Sequence, residues 1–475
     1  MNNKFKIAVI GGGIAGSVIA EQLSTFDVKV SLFEERTSIV SGPPMCHLHT
    51  GGNLYRELSN ENCIDLLTQS LKTQKYLEYA INSRPTIITI PTEDDGTPNT
   101  LIDRLELLKE EYCKIVFKDS TLALLGEPLN YYSTYSYDDC LKLALGNNQF
   151  NSNLSSIYST FKIMDLSRLK FPIFSVKEFG INQFRISALL NYILLNRKNC
   201  TLKLSTSVTD IKKHLNTFSI TCKKHDSKCK ELEHFDYVIN ACGYKSALTD
   251  SMLGIFKNRI LEFKASYLAF WEQKHKMPEL IFHGKRSTVN GMGQLTPYCD
   301  GLFQIHCMCE GISLFKNGRT VSSKELFEIY PDSFLLNYEN FENNTTEIKK
   351  LTIESIKFIS KYIPSFSNAV FAGKPFYGIQ QIPGKNPCLR TADVCFSIDG
   401  YATVEIVKIS SAIQAAENII NKLKTEGHIT SNNPLLTTNV TEKLSLKERK
   451  SLDIKAMNIS KKRGYPSVIA KRYDI

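Results

Sequence analysis

Apolar residues along the chain alternate between two kinds of spacing. Ile7, Ala8, Val9 and Ile10 form an unbroken apolar run, the pattern of a strand buried on both faces of a parallel sheet. Gly11 to Gly16 then predict a turn, Ser17 to Leu23 a helix, and Val28 to Phe33 a second strand ending at Glu34. A second α/β stretch starts near Asn182, where Ile186, Leu189, Leu190 and Ile193 recur at helical spacing. Strand-like runs follow at Thr201–Leu204, Phe218–Cys222 and Phe235–Ala241. From Leu261 the pattern becomes β-rich, with runs at Leu261–Trp271, Glu279–Phe282, Gly291–Pro297 and Leu302–His306. Residues 56–180 read as helical and loop-rich, with Leu101–Val116 an amphipathic helix. Phe371–Gln381 is mixed, Ile406–Leu423 reads as a long helix, and Thr430–Val440 as a linker.

The expected fold class is α/β, with a Rossmann-like dinucleotide-binding domain and a second, mainly antiparallel-β domain. A chain of 475 residues is too long for one ordinary core and suits two interleaved domains. The thirteen cysteines form no CxxC pair, which points to reduced thiols and no metal site. Cys307 and Cys309 lie two apart, but two ligands do not make a metal centre.

Gly11-Gly12-Gly13-Ile14-Ala15-Gly16 satisfies G-x-G-x-x-G, and its context gives it weight. It follows an apolar strand, opens a helix, and is followed by Glu34 at the next strand end. Gly11 suits the tight turn, Gly13 the close approach of a pyrophosphate, and Gly16 the packing of helix on strand. Ile14 and Ala15 belong to this turn, and the helix that follows would offer its free amides to the phosphates. Glu34, with Glu35 beside it, is placed to accept hydrogen bonds from a ribose diol. FAD and NAD share this fingerprint, so an NAD-dependent dehydrogenase and a non-catalytic nucleotide-binding protein stay open at this point.

Gly11-x-Gly13-x-x-Gly16-x-x-x-Ala20-x-x-Leu23, ending at Glu34, resembles the FAD-binding start of the D-amino-acid-oxidase-like FAD-dependent oxidoreductase family, which includes amine, hydroxyacid and malate:quinone oxidoreductases. Val238-Ile239-Asn240-Ala241-Cys242-Gly243 is similar to that family's V-I-N-A-A-G strand end, with Cys242 in place of a small residue. His47 to Tyr55 resembles its I-H-x-G-x-x-Y loop, and Val208 to Ile211 sits where the family contacts adenine. Gly378–Ala392 followed by Tyr401–Ala416 resembles its closing segment. One departure stands out: the family's G-H-G-x-x-G is here Tyr401-Ala402-Thr403-Val404-Glu405, which removes the glycine run. The resemblance implies FAD as cofactor, held by Gly11, Gly13, Ile14, Ala15, Gly16, Glu34, Glu35, Val208, Ala241, Cys242 and Gly243. It implies an FAD-binding domain in three segments, 1–55, 181–250 and 371–425. Residues 56–180 would be a helical cap, 251–370 the substrate domain, and 426–475 a basic extension.

The resemblance also implies oxidation of a small amino or hydroxy acid by hydride transfer to the flavin. A hydroxy acid needs a base for its proton, and a carboxylate wants an arginine. The hairpin across Pro297–Gly301 puts Met292, Gln294 and Thr296 on one face with Leu302, Gln304 and His306. Gln304 and His306 from that face, His49 from the flavin-side loop and Arg390 before the last helix are the catalytic candidates. His283 and Arg286 are weaker ones, and His47, His49 and Cys46 are candidate points of covalent flavin attachment. There is no C-x-x-x-x-C pair after the second strand and no second G-x-G-x-x-G. Electrons would therefore enter from the substrate and leave to oxygen, a quinone or a protein carrier.

The net charge of +10 is concentrated late: residues 441–475 hold ten Lys/Arg against four Asp/Glu, a net +6. That distribution does not describe a nucleic-acid binder. It suits a solvated, partly helical extension, or peripheral contact with an anionic membrane. With no signal-like start and no apolar run of membrane-spanning length, a cytoplasmic location is expected.

Overall fold

The protein is described from a computed structural model, covering residues 4–42, 47–48, 50–52, 56, 58–145, 152–286, 288–312, 319–322, 343–390, 393–430, 440–442 and 444–475. Strand Lys6–Ile10 lies inside a six-stranded sheet of order Val394–Ile398, Tyr401–Val404, Tyr237–Asn240, Lys6–Ile10, Lys29–Phe33, Cys200–Lys203. Its pairings are parallel, with Ala8 opposite Val238 on one side and Ser31 on the other. Only the outer pair, Val394–Ile398 with Tyr401–Val404, runs antiparallel. Alternation explains the unbroken apolar run. Ile7 and Val9 join the core under helices Ile14–Leu23, Gln183–Leu195 and Ser411–Thr425. Ala8 and Ile10 point the other way, against Ile211, Phe218 and Ile220 of an antiparallel meander, Thr206–Lys213, Phe218–Lys224 and Lys230–Phe235.

The second sheet has ten strands. Its path runs Arg319–Ser322, Asn258–Phe270, Leu302–Cys307, Gly293–Pro297, Glu279–Phe282, Thr86–Pro91, Leu169–Val176, Tyr132–Tyr135. Strands Val370–Phe371 and Phe376–Pro383 also pair with the long strand Asn258–Phe270. Helix Thr345–Ser360 covers one region of the sheet, with Ile348, Leu351 and Ile359 against Leu280, Leu295 and Ile305. Helices Asn60–Tyr76 and Pro98–Lys118 cover another.

Residues 56–180 therefore do more than cap. They supply three strands to the sheet that residues 258–322 continue. Thr-Ile-Ile-Thr-Ile at 86–90 is β-branched and, with Pro91, wholly buried, so it carries no alternation to read.

Residues 444–475 are integrated, which corrects the expectation of a solvated extension. Ser445 and Glu448 form a capping box that starts helix Leu446–Lys462. Leu452 and Ala456 bury against the main core, followed by Tyr465, Ile469 and Ala470. Arg463 turns inward and donates to the carbonyls of Val40 and Ile39, both at 2.9 Å. The Tyr473 hydroxyl accepts from the Met277 amide at 2.8 Å. The buried stripe on the helix is narrow, only Leu452, Ala456 and Ser460, so charge dominates its sequence. Lys461, Lys462, Lys471 and Arg472 stay exposed, and no described helix is long and apolar enough to cross a membrane.

The glycine turn couples the first sheet to its helix. A Cβ on Gly16 would lie 1.9 Å from the Gly11 carbonyl oxygen, whereas one on Gly13 would meet nothing within 4 Å. Gly16→Ala should therefore destabilise the protein by about 1–3 kcal/mol through overpacking, while Gly13→Ala should leave stability within about 0.5–1 kcal/mol. Urea unfolding of both variants checks this, and equal losses would contradict the close helix–strand contact.

Candidate functional site

Strand Lys6–Ile10 ends in Gly11, whose φ of 99° favours glycine. A side chain there would also strike the Ala241 carbonyl oxygen at 2.5 Å. Helix Ile14–Leu23 then starts with no side chain capping it and no acid in its first turn. Its amides and dipole are left for something else. They open on a cavity of about 1060 Å³ that runs between the two sheets.

Gly11, Gly13, Ile14, Ala15, Glu34, Glu35, Val208, Ala241, Cys242 and Gly243 line this end of the cavity. Gly16 does not; its place is between helix and strand. Glu34 is buried at the strand end, where Oε2 accepts from the Gly12 amide at 2.7 Å and Oε1 from the Arg36 amide at 2.8 Å. Burial raises its pKa, and these amides oppose the rise. Glu35 is paired with Lys245 at 2.9 Å. Burial pushes the Cys242 thiol up to about 12, so it stays protonated.

The strand end at Ala241–Gly243 is held from below. The Asn240 amide donates to Asp250 at 2.8 Å, and the hydroxyls of Tyr401 and Thr403 donate to the same carboxyl oxygen at 2.7 Å each. Arg259 balances Asp250 from the other side and reaches Glu405 at 3.1 Å. Tyr401, Thr403 and Glu405 are the residues that depart from the glycine run, and here they build a buried support instead.

At the far end the hairpin forms as expected, with Gln294 opposite His306 and Thr296 opposite Gln304. All four line the cavity, and so does Met292. Gln304 accepts from the Tyr298 hydroxyl at 2.9 Å. His306 Nδ1 donates to the Ala265 carbonyl at 3.1 Å, leaving Nε2 as the ring's acceptor. Burial and then the Lys264 charge push its pKa down to about 4, so the ring is neutral near pH 7. Arg390 also lines the cavity, steadied by the carbonyls of Pro387 at 2.6 Å and Leu389 at 2.8 Å.

Sequence reasoning missed Lys264 and Lys408, which line the same end. A lysine inside a buried strand was the available signal for the first. Burial and then Arg390 bring Lys264 down to about 7, and burial and then Lys264 depress Lys408.

His47 was read as a loop residue and proves to be a buried cation. Its Nε2 lies 3.0 Å from Glu178, and its Nδ1 2.6 Å from Glu279. Glu279 also pairs with Arg84 and accepts from Gln294, while Glu178 accepts from the Gly52 amide at 2.7 Å. Burial alone would lower the His47 pKa, but the two carboxylates override it and hold it at about 9. Glu279 is brought down to about 2 against its own desolvation, by His47 and then Arg84. An imidazole with both nitrogens committed to carboxylates has no lone pair to offer. His47 is thus a fixed charge on the cavity wall, not a base. His49 and Cys46 lie outside the described residues. His283 does not line the cavity and instead bonds Arg56 at 3.0 Å. Cys222, Glu231 and Glu233 gather on the meander, where Lys203 already pairs with both carboxylates.

The family model described as an NAD(P)-binding Rossmann-like domain matches residues 9–43. None of the curated proteins matches the sequence. Solved structures do. L-amino acid deaminase from Proteus vulgaris superposes with a TM-score of 0.58 at 11% identity, over 92% of this chain and 97% of that one. Glycine oxidase from Geobacillus kaustophilus gives 0.56 at 11%, over 93% and 100%. Dithionite-reduced L-α-glycerophosphate oxidase from Mycoplasma pneumoniae with FAD bound gives 0.55 at 15%, over 92% and 98%. At these identities the likeness establishes a shared fold across nearly the whole chain.

The His47 cluster makes a pH-dependent prediction. Its folded pKa of about 9 exceeds the ordinary imidazole value of 6.5, so its stabilisation is full below 6.5 and is lost as pH rises through 9. His47→Asn should cost about 3–5 kcal/mol at pH 6, because Glu178 and Glu279 lose their shared cation. The gap between wild type and variant in urea unfolding should narrow from pH 6.5 to 9. A constant gap would show that His47 acts by packing alone.

Proposed function

We propose that the protein is an FAD-dependent oxidoreductase that oxidises a small amino or hydroxy acid. The observation that carries this is the single cavity joining an uncapped helix N-terminus at Gly11–Gly16 to the polar hairpin face of Gln304 and His306. Ligand pockets usually span roughly 300–1,000 Å³, so this one suits a dinucleotide with a small substrate. The residues fit FAD: an open position at Gly13, free helix amides, and a carboxylate at the second strand end. The fold shared with glycine oxidase, L-amino acid deaminase and L-α-glycerophosphate oxidase supports the same reading.

In this reading Gly11, Gly13, Ile14 and Ala15 receive the pyrophosphate, with Gly16 fixing the helix. Glu34, with Glu35, receives the ribose, and Val208 the adenine. Ala241, Cys242 and Gly243 close the phosphate side. Bound there, FAD supplies a hydride acceptor. Arg390 holds the substrate carboxylate, and Gln304 orients the acid by its amide. His306, neutral with Nε2 open, takes the proton of a hydroxy acid. Gln294 ties the hairpin to Glu279 and so fixes the wall that carries His306. Electrons leave to oxygen, a quinone or a protein carrier. The NAD(P)-binding family match favours a second reading, a pyridine-nucleotide dehydrogenase. A yellow protein whose colour bleaches anaerobically with an amino or hydroxy acid decides for the first. Faster reduction by NADPH than by every acid tested decides against it.

Two variants test the roles. Gly13→Val should fold, because its Cβ points into open space, yet purify without flavin, because the side chain fills the pyrophosphate position. Circular dichroism and the visible spectrum read both, and a folded yellow variant refutes the assignment. With a hydroxy acid, His306→Asn should slow flavin reduction by about 10²–10⁴-fold. The wild-type rate should rise through pH 4 and level off above it, since His306 is held at about 4. Stopped-flow reduction across pH checks this, and an unchanged rate in the variant removes His306 from the chemistry.

A further inference from the structure

Helix Leu446–Lys462 has two unlike sides. Leu452, Ala456 and Ser460 lie on one and are buried. At about 100° per residue, the exposed positions gather on the other, within roughly half a turn of arc. They include Lys447, Lys450, Lys455, Lys461 and Lys462. Among the described residues no carboxylate stands within ion-pair distance of any of these lysines. Lys455 lies over the Tyr192 ring at 5.2 Å. The helix carries two acids, and both are engaged at the edges of the lysine face. Glu448 accepts from the Ser445 amide at 2.8 Å and from the Tyr192 hydroxyl at 2.7 Å. Asp453 pairs with Arg185 at 2.8 Å and accepts from the Tyr79 hydroxyl at 2.7 Å. The exposed acid nearest in sequence is Glu442, before the helix. Two large aliphatic side chains, Leu446 and Ile454, stand among the lysines, 79% and 57% exposed. Helix Gln183–Leu195, tied to this one through Tyr192 and Glu448, ends in Leu195, 67% exposed.

An exposed leucine by itself is ordinary, and a solvated helix face usually mixes acids with its lysines. Aliphatic side chains set within an acid-free lysine face match a surface with two layers. Anionic headgroups meet the ammonium groups, and the acyl boundary beneath them takes the aliphatic ends. Lysine suits this, because its stem lies along apolar material while its charge stays at the headgroups. Clusters of about four to eight basic residues on a helix are the size that such binding uses. A nucleic acid is better met by aromatic and arginine side chains, which stack and form forked contacts. The exposed positions of this helix hold neither. A second copy of the chain would bring the same positive face and be repelled.

We propose that the exposed face of helix Leu446–Lys462 docks the protein on an anionic phospholipid membrane, with the helix lying along the bilayer surface. Its buried side, packed on the core, anchors the rest of the molecule to that surface. The helix runs directly into Arg463 and Tyr465, which line the cavity, so the docking face and the cavity wall belong to one continuous segment. The docking is independent of the oxidoreductase reading and needs no turnover.

Vesicle sedimentation with the full chain tests this. It compares vesicles of phosphatidylcholine alone with vesicles in which about one third of the lipid is phosphatidylglycerol. The wild type should bind the anionic vesicles at least about tenfold more tightly at low salt, and rising salt should erode the difference. Lys447→Glu combined with Lys450→Glu should lower that binding at least about tenfold. Lys223→Glu combined with Lys230→Glu makes the same change of net charge on the exposed meander and should alter binding less than about twofold. Leu446→Ser combined with Ile454→Ser keeps every charge and should weaken binding at least about threefold. These positions are all exposed, so the variants should fold, which circular dichroism verifies. Equal binding to both kinds of vesicle, or binding to neither, overturns the proposal. An equal loss from the meander pair overturns it too, because net charge would then be the cause. Serine variants that bind as the wild type does overturn it in favour of a plain polyanion site, and so does tighter binding to a DNA duplex than to the vesicles.

Discussion

Burial of strand Lys6–Ile10 on both faces is the constraint from which the architecture follows. With helices on one side and the meander on the other, the strand can leave the sheet only at its end. There the helix must start almost at once, which brings Gly16 against the Gly11 carbonyl. The N-cap position is Gly13, which has no side chain to cap with, so the helix amides face the cavity. Ligand-binding capacity at this end thus comes from glycine at two positions, one for packing and one left open. The register to Tyr237–Asn240 then puts Ala241–Gly243 on the opposite lip.

Electrostatics divides the cavity into regions of different character. At the glycine end charge is nearly balanced, with Glu35 on Lys245 and Glu34 on two amides. Along one wall, His47 and Arg84 offset Glu178 and Glu279 inside the protein, so little of that charge reaches a ligand. At the hairpin end cations gather, with Lys264, Arg286, Arg390 and Lys408 all lining the cavity. The two sheets meet along this gradient. The first contributes backbone groups, which suit phosphates whatever is attached to them. The second contributes side chains, the kind of group that distinguishes one small ligand from another.

Some of this was legible in the sequence, and the reasons differ by element. The glycine turn could be read because each glycine answers a separate steric demand at fixed spacing. The hairpin face could be read because a strand has period two, which brought Gln304 and His306 together once the turn at Pro297–Gly301 was placed. Strand Thr86–Pro91 could not, because burial on both faces erases alternation. The Glu178–His47–Glu279–Arg84 cluster draws on segments far apart in sequence, and no local pattern announces such a meeting. Lys408 lies in a stretch, Ile406 to Ser411, that gave no hint of a buried charge. The basic run at 461–463 misled because two of its residues face water while Arg463 is tucked beneath Ser38–Ser41.

Arg463 and Tyr465 both line the cavity, and Arg463 reaches Val40 across 423 positions of sequence. A wall begun by the first strands is therefore finished by residues translated far later. On the ribosome, the glycine turn, the meander and the hairpin all emerge before the piece that closes them over. Loading of any tightly held ligand must then wait for synthesis to run through this segment, and a chain interrupted anywhere before it would expose an open, half-built cleft to the cell's proteases.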